Sequence, residues 1–372
     1  MKTIIFLLQK EFRQIRRNKT LLPIIFVLPI IQLLILVHAT TFEIKNINLS
    51  IVDMDKSYTS QQLINKLDGS SFFKISNNAL TFDEAKEQLA KNNADMIVYI
   101  PHNFGTDLIK ENNSSVQFIP NAINSNVASL AYAYGANVIM DFNKDIVAEL
   151  LASISPKPIK TIETKARFWY NPELNYKWYM FPGIMVILIS MIGIFISGLN
   201  LVREKEIGTS EQLNVTPMKK HHFIIGKLLP FLLIGLFELG FAVLLGKLFY
   251  GVPLVGSVWV LVLFTFVFLL VVLGIGLFIS TMSDTQQQMM FIAFFVIIVF
   301  ILLSGIFTPL ESMPTWVQKF NYINPITYFM KVIRMVMLKG SGFMDLIPEF
   351  ISLSIYAVII LSLATWRYKK TS

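Results

Sequence analysis

The chain has 372 residues, of which 54% are hydrophobic and only 15% charged, a balance too apolar for an ordinary soluble domain. Its net charge of +8 is uneven: residues 41–179 hold 13 Lys/Arg against 15 Asp/Glu, and the remainder holds 19 against 9. The basic excess thus lies outside the one stretch polar enough to be a soluble domain, which argues against a nucleic-acid-binding face. The lack of Cys excludes disulfides, thiolate metal clusters and thiol catalysis.

Residues 1–20 carry Lys2, Lys10, Arg13, Arg16, Arg17 and Lys19 against Glu11 alone. Ile4, Ile5, Leu8, Phe12 and Ile15 recur at helical spacing, so the segment reads as an amphipathic helix in the lipid headgroup region, and also as the positive flank of the next segment. Residues 21–40 are apolar apart from Gln32 and His38 and long enough to span a bilayer. Val37-His38-Ala39 would pass as a signal cleavage site, but the apolar core is long for a signal peptide, and an uncleaved span is expected.

Residues 41–178 change character, with short apolar runs alternating with polar helical patterns. Strands are expected over 47–52, 71–75, 96–100, 116–119 and 162–170, and helices over 57–67, 81–91, 102–110 and 123–153. Thr81 and Glu84 form a capping box. The alternation implies an inserted α/β domain. Asp53 and Asp55 suggest a carboxylate pair, but nothing converges with them and a turn-capping role is the better reading. Of the four His residues, none belongs to a metal-spaced set, and His221-His222 falls at a span edge, where an interfacial role outweighs ligation.

Five further spans are expected over 180–202, 223–249, 258–282, 288–307 and 350–366, the last extending back towards Ile347. With six spans both termini share a face. That face carries fourteen Lys/Arg in its short segments against five on the other, which places both termini in the cytoplasm and the α/β insert outside. Residues 308–347 are apolar but broken by Pro309, Pro314 and Asn324-Pro325, and read as two short helices dipping into the outer leaflet. Lys331 and Arg334 sit there one helical turn apart. Snorkelling to headgroups is the plain reading, and contact with an anionic substrate or lipid headgroup the sharper one.

Two features stand out for function. Glu238 is the single acidic residue well inside an expected span, either protonated and hydrogen-bonded to a neighbouring helix or lining a substrate or proton path. The segment 203–221, between the second and third spans, is densely charged. Its charges would each cost roughly 2.5–3.5 kcal/mol at a bilayer centre, so it is expected to be a loop on one face. Thr209 or Ser210 can cap a short helix there, which Pro217 stops. The chain has no GxxxxGK[ST] loop, no GxSxG and no convergent acid/base set, so any work it performs must be driven elsewhere. Gly193-xxx-Ser197 and Gly276-xxx-Ser280 are small-residue pairs suited to close helix contact.

Arg203-Glu204-Lys205-Glu206, Gly208-Thr209, Glu211-Gln212-Leu213 and Thr216-Pro217 resemble the cytoplasmic signature of ABC-2 type transporter permeases. Stretches 52–57, 83–101 and 170–183 look like the external domain of that family, and 304–314 and 324–340 like its last external loop. The closest subgroup is the bacterial multidrug-export type with a large external domain between spans one and two. The resemblance implies a six-span half-transporter paired with itself or a paralogous permease, and separate ATP-binding subunits that carry ATP and Mg, with no cofactor on this chain. It also implies a coupling helix over Glu206–Val215, a periplasmic adaptor as further partner, and spans two and five lining the path.

The expected fold is thus an α-helical polytopic membrane protein with six transmembrane helices and an inserted α/β extracytoplasmic domain. The expected function is the permease of an ATP-driven exporter in a bacterial inner membrane, moving an amphipathic, drug-like or lipid-like molecule. The rival is a membrane-anchored sensor or scaffold whose external domain binds a ligand. Such a protein would usually carry a cytoplasmic output domain, and the segment between spans two and three is too small for one.

Overall fold

A computed structural model describes residues 2–17, 21–39, 47–111, 113–123, 125–154, 169–171, 175–208, 220–308 and 310–368. Most of the expected strand at 162–170 falls outside the described residues, as do Thr209, Glu211, Gln212, Leu213 and Pro217. The chain divides into two compact units, one comprising 1–41 and 166–372, the other 42–165.

The smaller unit is built on a four-stranded sheet of β1 (Ile47–Asp53), β2 (Phe73–Asn78), β3 (Met96–Ile100) and β4 (Gln117–Pro120). Its order is β2-β1-β3-β4, with β4 alone antiparallel. Alternation along β1 and β3 sends Ile47, Leu49, Ile51, Met96, Val98 and Ile100 to one face and Val52 and Ile97 to the other. The first face packs on α3 (Tyr58–Asp68), α5 (Phe104–Lys110) and α6 (Ser125–Ile154), and the second on α4 (Phe82–Ala90). The capping box forms: Thr81 Oγ1 accepts from Glu84 N at 3.3 Å, while Glu84 Oε2 accepts from Leu80 N, one residue before the cap, at 3.0 Å. Asp53 is a turn organiser, accepting from the backbone N–H of Asp55 and Lys56 and from Ser60 Oγ, and Asp55 accepts from Gly105 N. Lys66 ties α3 to Asp141 and Asp145 of α6. Burial opposes its charge, and the two carboxylates outweigh it, holding the ammonium above its ordinary value.

The larger unit starts with α1 (Lys2–Arg17) and α2 (Leu21–Ala39) and resumes with α7 (Tyr176–Glu206), α8 (Lys220–Tyr250), α9 (Val258–Thr281) and α10 (Gln286–Leu303). It closes with α11 (Thr315–Phe320), α12 (Pro325–Arg334) and α13 (Ile347–Arg367). Among the described residues, α7, α8, α9, α10 and the segment Met344–Arg367 are long and apolar enough to cross a membrane. The apolar helix α2, 19 residues with Pro29 inside, packs on α7 and α8.

Helix α7 is the axis of this unit, buried along most of its length and in contact with α2, α8, α9, α10 and α12. Its crossing with α9 runs through small residues. A Cβ on Gly276 would strike Ser197 Oγ and the Ile194 carbonyl, and one on Gly193 would sit 2.7 Å from Val272 Cγ2. Close approach of this kind maximises dispersion contact where no hydrophobic drive operates between lipid-embedded helices. Helix α10 ends at Leu303, short of the expected span to Phe307, and Gly305, with φ of +82°, turns the chain back. Two amides then satisfy its exposed terminal carbonyls. Asn324 Nδ2 donates to Phe300 O at 2.8 Å, and Asn321 Nδ2 donates to Leu303 O. Asn324 also caps α12, accepting from Ile326 N with Pro325 at the first helical position. The broken segment between α10 and α13 therefore forms α11 and α12 without stranding these backbone groups.

Gly276→Ala is expected to cost about 1–3 kcal/mol, because the added methyl meets backbone that cannot yield. Gly240→Ala, on α8 with nothing within 4 Å of the new methyl, is expected to be neutral or mildly stabilising. Thermal unfolding of the two purified variants separates these outcomes.

Candidate functional site

Arg203 to Glu206, expected from their charge to begin a loop, are the last turn of α7. Successive residues on a helix point about 100° apart, so four in a row at a helix end can address four different neighbours, and here they do.

Glu204 is 2% exposed and lies among three other buried polar groups: Glu11 of α1 at 0%, Lys227 of α8 at 3% and Asn200 of α7 at 5%. Lys227 Nζ is 2.6 Å from Glu204 Oε1, 2.9 Å from Glu11 Oε1, and donates to Asn200 Oδ1 at 2.8 Å. Asn200 Nδ2 donates to Glu11 Oε2 at 3.3 Å. Lys10 Nζ closes the group from the partly exposed side, 2.6 Å from Glu204 Oε1 and 3.5 Å from Glu11 Oε1. Two cations and two carboxylates cancel, which is the condition for keeping charge out of water without a large desolvation penalty. Burial opposes the Lys10 charge, but Glu204 and Glu11 outweigh it and raise its pKa above the ordinary value. A raised lysine stabilises the fold fully below its unfolded-state pKa and loses that contribution only as pH rises through the folded value, so its effect is constant across neutral pH. Tyr368, just past α13, stacks on Phe223 with ring centroids 5.1 Å apart. Burial and the Glu204 carboxylate push its hydroxyl up to about 12.

The neighbours of Glu204 reach elsewhere. Lys205 Nζ donates to Ser280 O at 2.8 Å and Ser283 O at 3.0 Å, placing a cation on the negative, carbonyl-rich end of α9. Glu206 accepts from Gln286 N at 2.8 Å and from the Gln286 side-chain amide, placing an anion on the positive end of α10. Arg203 lines an open groove of about 530 Å³ with Lys10, Arg13 and Arg17 of α1. One helical turn thereby joins α1, α8, the end of α9 and the start of α10. The expectation of a loop failed here because the most buried of these charges, Glu204, is neutralised by lysines from other helices instead of by water. The expected coupling helix at Glu206–Val215 starts on a residue inside α7, and of the rest only Ile207 and Gly208, a turn with φ of +77° at the glycine, are described.

Three members of the cluster were missed in the sequence. Glu11 reads in the sequence as a lone acid in a basic helix, and Lys227 and Asn200 carry no local signal that joins them to Glu204. A signal existed for Glu11, since it lies three residues after Leu8 and four before Ile15, on the apolar stripe and not opposite it.

The other predicted residues stand apart from this cluster. Lys331 Nζ is 2.6 Å from Glu349 Oε1 in the first turn of α13. The Arg334 guanidinium lies 3.9 Å from the ring centroid of Tyr179 and donates to Gly305 O at 3.2 Å. Both therefore hold α12 to its neighbours. Glu238 is 8% exposed on α8 and lines a separate cavity.

Comparison with known sequences now decides the family. The model of the family described as ABC-2 family transporter protein matches residues 19–366. The chain belongs to the ABC-2 transporter family. It is 30% identical over 336 residues to the "Probable multidrug ABC transporter permease YbhR" of Escherichia coli (strain K12), covering 90% of each chain. It is 28% identical over 368 residues to the "Inner membrane transport permease YhhJ" of the same organism, covering 97% of this chain and 96% of that one. It is also 25% identical over 338 residues to "ABC transporter G family member 20" of Dictyostelium discoideum, covering 90% of this chain but 46% of that longer protein. As an ABC-2 permease it is an integral membrane transport subunit, and membership implies ATP-binding partners.

Lys227→Met leaves two buried carboxylates facing one partly exposed cation and is expected to destabilise the protein by ~3–5 kcal/mol. Combining it with Glu204→Leu, which leaves Lys10 with Glu11, is expected to recover a large part of that loss in thermal unfolding. Glu206→Ala is expected to speed amide exchange at Gln286, because the acceptor on the α10 terminus is removed.

Proposed function

We propose that this chain is the membrane half of an ATP-driven exporter in a bacterial inner membrane. Helix α2 serves as the first of six spans, both termini lie in the cytoplasm, and the sheet-containing unit lies outside. ATP and Mg are held by separate ATP-binding subunits docked beneath residues 206–215. A second permease, the same or a paralogue, faces it, and a periplasmic adaptor is a further partner. The transported molecule is amphipathic, drug-like or lipid-like, and moves outward along a path lined by α7 and α10.

The observation that carries this reading is the turn 203–206. A docking segment transmits force only if the helices on either side of it move as one body. Glu204 and Lys227 flank the segment 209–219 and are ion-paired to each other, so a push on that segment is delivered to α7 and α8 together. Lys205 and Glu206 extend the same body to the turn between α9 and α10. The names of YbhR and YhhJ, both permeases, agree with this division of labour, as does the lack of a phosphate-cradling motif in the sequence.

The test is co-purification from gently solubilised native membranes. The wild-type chain is expected to bring down an ATPase carrying a Walker motif, and Glu211→Arg to lose it while remaining folded. An ATPase retained by Glu211→Arg would move the docking site elsewhere. A chain that captures no ATPase in several mild detergents would sink the exporter reading.

A further inference from the structure

A second feature lies away from the charged turn. A cavity of about 170 Å³ opens between α2, α7 and α8, lined by Ile25, Pro29, Leu33, Met185 and Phe241 among other apolar residues, with Glu238 as the single polar side chain among the described residues that line it. Glu238 is 8% exposed, and its Oε1 has no hydrogen-bond partner. Among the described residues of the larger unit, the other carboxylates buried to this degree, those of Glu11, Glu204 and Glu349, are each ion-paired to a lysine.

Among the described residues that line the cavity, no other side chain carries a charge or a hydrogen-bond donor, so the Glu238 carboxylate is in want of a positive or donating group. Phe237 and Phe241, stacked with centroids 6.2 Å apart, also line it, and aromatic rings attract cations. Phe237 is 55% exposed, so the cavity is reachable from the surface of the helix bundle.

We infer that this cavity is a binding site for a small lipophilic cation, a protonated or quaternary amine with apolar substituents, whose counter-ion is Glu238. An apolar wall suits the substituents, the carboxylate suits the charge, and the aromatic pair suits either. The inference rests on the transport reading only for its physiological meaning, as the substrate class the permease accepts. The site itself is a property of this chain.

The test is equilibrium dialysis of the full-length protein in lipid nanodiscs, using benzyltrimethylammonium and its uncharged carbon isostere neopentylbenzene. The wild type is expected to bind the cation saturably and more tightly than the isostere. Glu238→Gln is expected to weaken the cation by roughly ten-fold or more, the effect of losing one charge-assisted contact, and to leave the isostere unchanged. Ala242→Phe, which fills the cavity, is expected to abolish binding of both. Equal binding of cation and isostere by the wild type, or undiminished cation binding by Glu238→Gln, overturns the inference, and the first comparison needs no variant to fold. ATPase co-purification on the same preparation separates the two readings. A chain that captures an ATPase without preferring the cation loses this site alone. A chain that prefers the cation without capturing an ATPase keeps the site and loses the exporter.

Discussion

The larger unit depends on one buried contact, the 2.6 Å ion pair between Glu204 at the end of α7 and Lys227 near the start of α8. Either charge alone in that position would be strongly destabilising, since the desolvation penalty is recovered only with a close partner and satisfied neighbours. Glu11, Lys10 and Asn200 supply those neighbours, and the first comes from α1, at the other end of the chain. The pair therefore does more than neutralise itself. It commits three helices to one arrangement, and because the remaining residues of the turn hold the ends of α9 and α10, five helices meet there.

This arrangement separates two kinds of work within the bundle. Close apolar packing, as at Gly276 against Ile194, sets the distance between helices and has no preferred direction. Ion pairs and caps at the helix ends set register, because each needs a particular atom within about 3 Å of another. The segment between α10 and α13 follows the same logic. Asn321 and Asn324 satisfy the last carbonyls of α10, and Lys331 and Arg334 hold α12 to α13, to Gly305 and to Tyr179. Lys331 and Arg334 are thus part of the frame.

Glu238 is the exception that gives the frame its contrast. Glu11, Glu204 and Glu349 are buried to a similar degree, and each has a lysine. Glu238 faces only apolar side chains across a cavity. An unpaired carboxyl in such a place is costly to keep, and it stands out because the other carboxylates buried to this degree among the described residues of this unit each have a lysine.

Much of the architecture was legible in the sequence. Long apolar runs marked α7 to α10 to within a few residues, alternation marked β1 and β3, and Thr81 with Glu84 marked the start of α4, all because these signals are local: they depend on residues within one or two turns of each other. Small-residue spacing at Gly193-xxx-Ser197 and Gly276-xxx-Ser280 marked faces suited to close helix contact, without naming the helices that meet. The partners of charged residues were not legible. Lys10 and Glu204 are 194 positions apart, and no periodicity connects them, so a charge-dense stretch reads as solvated loop when its first turn is the buried end of a helix. The family and the spans α7 to α10 were thus legible in the sequence itself. Which charges are paired, and which single one is left facing a cavity, was decided only by the tertiary structure, because pairing is a matter of distance between helices and not of order along the chain.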